Sequence, residues 1–572
     1  MVAIFYFQGV LICFVVLNIY CCNTGEYLEV EGGTTLSQIA EMVSDKLAFR
    51  PICALVNNKI EGLSYSLYAP KQVELTDDRS TFGRRVYVRS LCMLLYRALA
   101  EADKSLSLRI EHSISGGHFC RLFDSDGRTV RPSESFLATL SENMHRLVDR
   151  DLPFEHHETL TADAIEIFRN SGLHSKVELL ESRDELYTTY YTLDGVADSY
   201  YGPLAPSTGF IGVFALAAYQ DGFLLLPPSA STPERPAETH PQPKMYAAFK
   251  NHLDFNKIIG VRNIGQLNEA VRERRTSDLI NVAEALHEKY IGEIAARIAE
   301  SNDAGGARVV FLAGPSSSGK TTTCKRLAIH LYTNCKTPKM ISLDDYFVNR
   351  EDSPRDESGD YDYESLYALD LERLNSDLHA LLEGREINLP TYSFELGRRI
   401  ERERPLRLNH DDVLLIEGIH GLNPELVGRI ESDRLFKVYV SALTSLSIDD
   451  HNWISTTDTR LLRRIVRDHR YRHTSALETI RRWPGVRRGE EKWIFPFQEN
   501  ADATFNSSLL FEPAVLKPYA EPLLQNVPHN VRQYAEAYRL LKFLSYFSTI
   551  PVDQIPTTSL LREFLGGSSF HY

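Results

Sequence analysis

The run Gly314-Pro315-Ser316-Ser317-Ser318-Gly319-Lys320-Thr321-Thr322 holds the residue types that can cradle a polyphosphate. Small residues let backbone N–H groups curl around phosphate oxygens, and a helix beginning at the lysine would turn its positive end to the same anion. In the GxxxxGK[ST] pattern completed here, Lys320 would reach the β- and γ-phosphates of a nucleotide and Thr321 would place its hydroxyl on Mg²⁺. Phosphoryl transfer also needs a carboxylate to orient or deprotonate the attacking hydroxyl, an acid near the metal, and cations over the moving charge. Asp344 and Asp345 follow the run Met340 to Leu343, and Glu417 follows Val413-Leu414-Leu415-Ile416. Each acid stands where a strand would end and where open α/β sheets bind ligands. Either position could equally be a helix cap or a solvated loop acid. Arg460, Arg463, Arg464 and Arg467 recur at helical spacing, which places at least three on one face, and Arg470 and Arg472 extend the run. Such a stripe can be a surface row paired with acids. Its density in a chain of formal charge -14 points instead to an anionic ligand, the ATP phosphates under a closing lid.

The elements that must hold these groups are readable around them. Val309 to Ala313 is an apolar strand feeding the loop, and Leu327, Ala328 and Leu331 mark one face of the helix that follows. Further strands are expected at Lys339 to Leu343, Asp412 to Ile416 and Leu435 to Val440, alternating with helices, the pattern of a parallel sheet covered on both faces. At 572 residues the chain is too long for one core, and 43% hydrophobic with 24% charged residues is the composition of a soluble globular protein. The acidic balance argues against a surface given over to nucleic acid or acidic membrane, while leaving local basic patches open. Eight scattered cysteines, without CxxC or zinc-finger spacing, imply reduced thiols and a cytoplasmic protein. Residues 2–22 are almost wholly apolar and could be read as a signal peptide or a span, but no Lys or Arg precedes Lys46. The favoured expectation is no membrane: a strand from Val15 to Cys22 turns at Asn23-Thr24-Gly25 and returns as Tyr27 to Val30, with residues before about Val10 an extension outside the fold. Thr35 caps a helix, Cys53 to Val56 forms a strand, and a long helix covers Val86 to Ala102. Pro227 to Pro243 is a Pro/Ser/Thr-rich linker, Asn268 to Ala299 is helical, and a helical tail after Lys517 has its main helix at Val531 to Phe547.

The set GPSSSGKTT, SLDDYF, YDYE, PTYSF, IEGIHGLN and TRLLRRIVRDHRYR resembles the uridine kinase family, relatives of phosphoribulokinase, over residues 305–515. The resemblance implies that Asp344 is the catalytic base and that Glu364 grips the ribose hydroxyls. It places Tyr392 in the base pocket, Glu417 beside Thr321 at Mg²⁺, and Arg464, Arg467 and Arg472 as the lid and helix arginines, Arg464 also bordering the acceptor. One departure stands out. Uridine–cytidine kinases carry a histidine shortly after the PxY motif that recognises the pyrimidine edge, and Gly397 stands there in this chain. Losing a buried hydrogen-bond partner should cost base selectivity, so the acceptor can be another nucleoside or another sugar alcohol.

The first 226 residues resemble threonyl-tRNA synthetase: residues 15–78 its ubiquitin-like TGS module, and residues 84–226 its editing-type domain, through Gly202-Pro203, Pro206-Ser207-Thr208-Gly209 and the Ala164 to Phe168 helix. That editing domain uses HxxxH and CxxxH clusters suited to metal binding or ester hydrolysis. Alignment places Arg89 and Met93 at the first pair and Tyr200 and Leu204 at the second, so no editing chemistry is expected. His112, His118, His156 and His157 lack the spacing of a single-face metal pair and are read as ordinary surface or structural residues.

The expected architecture is multidomain α+β and α/β. It comprises a TGS domain (10–80), an editing-like α+β domain (81–226), a linker and helical connector (227–302), a P-loop α/β kinase domain (303–515) and a helical tail (516–572). The expected activity is ATP- and Mg²⁺-dependent phosphorylation of a nucleoside's primary hydroxyl. The alternatives are a phosphoribulokinase-like kinase of another sugar alcohol, and an RNA-binding regulator using its nucleotide as a switch. An RNA contact through the amino-terminal half and self-association into a homo-oligomer are further expectations.

Overall fold

The computed structural model describes residues 2–7, 10–356, 359–400, 402–427 and 430–571, with side chains described from residue 16 onward apart from Val427. The opening strand runs from Val10 to Cys21 and its return from Glu26 to Glu31. Residues expected to lie outside the fold join it, because Val2–Phe7 pairs antiparallel with the long strand, Val2 opposite Val15. Thr35 caps the helix Leu36–Met42 through a reciprocal bond with Gln38. The strands Cys53–Val56, Lys59–Gly62 and Gln72–Thr76 complete the sheet, the last parallel to the first hairpin. Leu17, Ile19, Leu36, Ile39, Val56 and Val73 form its core.

The long helix runs from Thr81 to Ala102, capped by Ser80, and packs against the sheet that contains Ser107–Ile114 and Gly117–Phe123. Residues 227–242 carry no helix or named strand, yet they are docked: Arg84 donates to the Pro228 carbonyl at 2.6 Å, and the Ser115 N–H donates to Gln242 at 2.9 Å. Three helices follow where one was expected, Pro243–Ile259, Ile264–Arg272 and Thr276–Asp303.

In the carboxy-terminal half five parallel strands lie in the order 337–342, 412–417, 309–313, 435–441, 503–506. Val309 to Ala313 occupy the centre and are fully buried, which is why the strand is apolar without alternation. The strand expected to reach Leu343 stops at Ser342, whose hydroxyl accepts from the Asp344 N–H and starts the 3₁₀ turn Leu343–Tyr346. The fifth strand, Ala503–Asn506, is too short to have shown a pattern of its own.

The tail is helical at Glu512–Gln525, Tyr534–Ser545 and Arg562–Leu565. Two buried ionic networks join the halves. Arg539 pairs with Asp458 on the arginine-rich helix and with Glu536, which also pairs with Arg85. Lys176, 1% exposed, lies 2.8 Å from Asp198 and 2.9 Å from Asp449, and Asp198 accepts from His451. Its ammonium pKa stands above the ordinary lysine value, since the two carboxylates outweigh the burial that lowers it. No helix among the described residues is long and apolar enough to cross a membrane.

Candidate active site

The phosphate loop joins the central strand to the helix Lys320–Thr333. Its concavity comes from two left-handed positions, Ser317 at φ 59° and Gly319 at φ 84°. Gly314 is required for a different reason: a Cβ there would collide with the Val440 backbone of the neighbouring strand. The Ser317 and Ser318 hydroxyls are buried without a hydrogen-bond partner, and Lys320 turns its ammonium back onto the Pro315 carbonyl at 3.1 Å. A loop holding polar atoms inward with no protein group to receive them fits an anionic ligand such as the phosphates of ATP.

Four ionisable groups meet above the loop. Burial lowers the Lys320 pKa, and the charges of Glu417, Asp344, Glu563 and Glu364 raise it again. Burial raises the carboxyl pKa of Asp344, against the pull of Lys320, Arg472 and Arg467. Glu417, at the end of its strand, is raised by burial and then by Asp344, while Ser342 donates to it at 3.1 Å. Glu364 is pushed up to about 7, first by burial, and its Oε2 is buried without a partner. Gly489 makes that seat possible, since a Cβ there would lie 2.9 Å from Glu364 Cγ. Among the described residues no group of three or more His, Cys, Asp or Glu could hold a metal ion alone. Glu417 and Asp344, which act on each other, offer carboxylate oxygens of the kind Mg²⁺ takes, one or two from protein with phosphate and water completing the shell.

The arginine helix, Thr456–Arg472, divides its cations between two tasks. Arg460 and Arg463, expected with the others, are 1% and 0% exposed and act as struts. Arg460 donates to the Ser316 carbonyl at 2.9 Å and pairs with Glu490; Arg463 donates to the Ser317 carbonyl at 3.3 Å and pairs with Glu512. Ser507 completes this scaffold by donating to the Ser318 carbonyl at 2.5 Å. Arg464, Arg467 and Arg472 instead share Asp468 and face the site. Arg464 donates to the Ser316 hydroxyl at 2.7 Å, and its Nε is buried without a hydrogen bond. Burial pushes the Arg472 guanidinium down to about 10. Arg470 leaves the row and packs on Gly566 of the tail.

On the acceptor side, Tyr392 meets Phe347 and Phe394 at ring separations of 5.6 and 5.2 Å. Asp345, a strand-end acid alongside Asp344 in the sequence, holds this hairpin: it pairs with Arg404 at 2.8 Å and accepts from the Tyr392 N–H at 3.4 Å. Gly397 lies at φ 65° and is covered by Arg350, whose Cζ would be 2.7 Å from a Cβ there. A side chain here would have to displace the Arg350 guanidinium and hold a left-handed backbone. Glu490, Glu512, Ser507, Glu563 and Arg350 escaped the sequence reading because each reaches the site from a distant segment, with no local motif.

In the amino-terminal half the four aligned positions do converge, and they are packed. Met93, Tyr200 and Leu204 share one core, and Arg89 donates to the Pro203 carbonyl at 3.0 Å from Nη2 and 3.2 Å from Nε. His112 is buried and stacked on Phe249, and His118 lies against Trp453.

Residues 309–509 match the model of the Phosphoribulokinase / Uridine kinase family, so the carboxy-terminal part of this chain carries a P-loop kinase domain of that family. The amino-terminal half matches threonyl-tRNA synthetase. It is 31% identical over 187 residues to the threonine–tRNA ligase of Syntrophomonas wolfei subsp. wolfei, covering 32% of this chain and 29% of that one. Against the enzyme of Carboxydothermus hydrogenoformans it is 28% identical over 196 residues, covering 33% and 30%. The chain thus spans about three tenths of the length of these curated relatives. Among solved structures, a possible uridine kinase from Bacillus stearothermophilus is 28% identical, covers 23% of this chain and 70% of its own, and overlaps at a TM-score of 0.20. D-glycerate 3-kinase from Cryptococcus neoformans var. grubii is 15% identical, covers 45% and 88%, and also overlaps at 0.20.

Proposed function

We propose that the protein transfers the terminal phosphoryl group of ATP to the primary hydroxyl of a nucleoside. The observation that supports this reading is the meeting of Asp344, Glu417 and Glu364 around Lys320 at one phosphate loop, where all three carboxylates act on the lysine and Asp344 acts on both glutamates. A loop that only sensed nucleotide would have no use for a second buried acid with an unpartnered oxygen.

Asp344 takes the proton of the acceptor hydroxyl as its oxygen forms the new bond to phosphorus, while the bond from phosphorus to the departing ADP oxygen breaks. Its raised pKa suits a base that must accept a proton near neutral pH. Lys320, Arg464 and Arg467 neutralise the charge on the moving phosphoryl group, and Arg472 contacts the nucleotide phosphates. Glu364 accepts hydrogen bonds from the acceptor's sugar hydroxyls, and Tyr392 stacks against its base. Mg²⁺, when bound by Thr321 and Glu417, supplies charge neutralisation across the phosphates.

Arg350 over Gly397 favours acceptors that do not rely on a pyrimidine-edge contact, and it keeps a phosphoribulokinase-like sugar alcohol as the second reading. The test is ADP release with Mg²⁺-ATP against a panel of ribonucleosides, deoxyribonucleosides, ribulose 5-phosphate and pantothenate, with Lys320→Ala as the blank. Stimulation by one nucleoside is expected. Stimulation by ribulose 5-phosphate alone would install the second reading, and silence across the panel with tight tRNA binding would replace both by an RNA-binding switch.

A further inference from the structure

The helix that follows the phosphate loop already has an anion at its amino-terminal end. Glu563 Oε2 accepts from the backbone N–H of Thr322 at 3.2 Å and from the Thr322 hydroxyl at 2.6 Å. Thr322 lies in the first turn of Lys320–Thr333, among the N–H groups that a helix leaves without partners of its own. In this loop pattern those N–H groups are the ones that cradle the α- and β-phosphates. A carboxylate therefore sits on a donor that the loop's geometry offers to a nucleotide.

The segment delivering it is a fixed part of the domain. Leu560 and Phe564 are 0% exposed and share a core with Val310, Leu312 and Leu327. Leu560 packs on the loop itself, since a Cβ at Gly319 would lie 2.6 Å from Leu560 Cδ1. The Phe564 ring lies 5.1 Å from the guanidinium of Arg463, Arg470 packs on Gly566, and Lys325 donates to the His571 carbonyl. The Glu563 charge also reaches the site's own ions, acting on both Lys320 and Glu417. Nearby, the Ser317 and Ser318 hydroxyls are buried without hydrogen-bond partners, polar atoms of the same loop that the protein leaves unmatched.

We propose that Glu563 is a self-inhibitory gate on the nucleotide site, seated on the amino end of the loop helix, which nucleotide binding must turn aside. The inference rests on reading the loop as a nucleotide site. Two anions cannot share the Thr322 N–H, so the apparent affinity for nucleotide falls by the fraction of molecules whose gate is open. Because Leu560 and Phe564 anchor the segment, opening needs rotation of the Glu563 side chain rather than release of the tail.

The experiment is an equilibrium titration of the full-length protein with a fluorescent ATP analogue and Mg²⁺, comparing the wild type with Glu563→Gln and Glu563→Ala. The expected result is a Kd lower by about tenfold in both variants, the scale of one charge-assisted hydrogen-bond pair. As a check on folding, Glu563→Ala should melt slightly below the wild type without nucleotide, yet gain more in Tm when nucleotide is added. An unchanged or higher Kd in both variants overturns the gate, making Glu563 a helix cap or a nucleotide ligand. Failure of all three proteins to bind overturns it together with the nucleotide reading of the loop. Tighter nucleotide binding without phosphorylation of any acceptor upholds the gate and counts against the nucleoside kinase alone.

Discussion

In the amino-terminal half, three of the four positions aligned with the synthetase's ligating residues, Met93, Tyr200 and Leu204, lie in one apolar core, and the fourth, Arg89, turns its guanidinium onto the Pro203 carbonyl. The nearby buried charges of Lys176, Asp198 and Asp449 are matched against one another, and Asp198 also accepts from His451. In the kinase domain Asp344, Glu364, Glu417 and Glu563 crowd around Lys320, while buried polar atoms without a hydrogen bond occur in both halves, at Glu364 in one and at His112 in the other. Such an atom costs about 1–3 kcal/mol in either half, so the difference between the halves lies in how their charges are arranged. The amino-terminal half keeps these charges paired and holds shape, whereas the kinase domain gathers several acids around one lysine, an arrangement that suits a charged ligand.

The comparison breaks first at Asp344. On the proposed mechanism, Asp344→Asn lowers turnover by about a thousandfold and leaves nucleotide affinity within about twofold. Coupled ADP release and nucleotide titration measure the two separately, and near-normal turnover would remove Asp344 as the base. Next in size is Lys176→Met, which strips the cation from Asp198 and Asp449 and should cost about 3–5 kcal/mol in urea denaturation. A loss below about 1 kcal/mol would show that the matched network does not hold the halves together.

Glu364→Gln should act in the opposite direction. Burial raises the Glu364 carboxyl from an ordinary 4.5 to about 7, so the fold favours its protonated form. The wild type therefore loses stability as pH rises from the unfolded value through the folded one, and the amide variant does not. At pH 8 the variant should be about 1–3 kcal/mol more stable relative to the wild type than at pH 4, read from melting curves across that range. A difference independent of pH would mean that Glu364 is not held protonated by its surroundings. The smallest effect is expected at Gly397→Ala, about 1 kcal/mol destabilising because of the left-handed backbone and the overlying Arg350. A stabilised variant would show that the glycine is not required by the turn.

Much of the site was legible because its signals are local. The phosphate loop is contiguous, Asp344 and Glu417 follow apolar strands, and Arg464, Arg467 and Arg472 sit on one helix. The same helical spacing grouped Arg460 and Arg463 with them, and only packing separated struts from site residues, since periodicity does not say what the opposite face meets. The surroundings of Asp345 and Gly397 were not legible for a related reason: they depend on Arg404 and Arg350, which other segments bring in.

What the sequence by itself determined is the kind of loop, the strand-end acids, the cation run, and the absence of histidines and cysteines at the four aligned synthetase positions. Each is a matter of residue type at short spacing, where backbone geometry and side-chain chemistry decide alone. The tertiary structure decided that three of those four positions close into a core, that Ser507, Glu490 and Glu512 brace the loop, and that Glu563 reaches Thr322 from 241 residues away. These depend on which surfaces meet when apolar faces are buried, and that is a property of the whole chain's packing rather than of any segment.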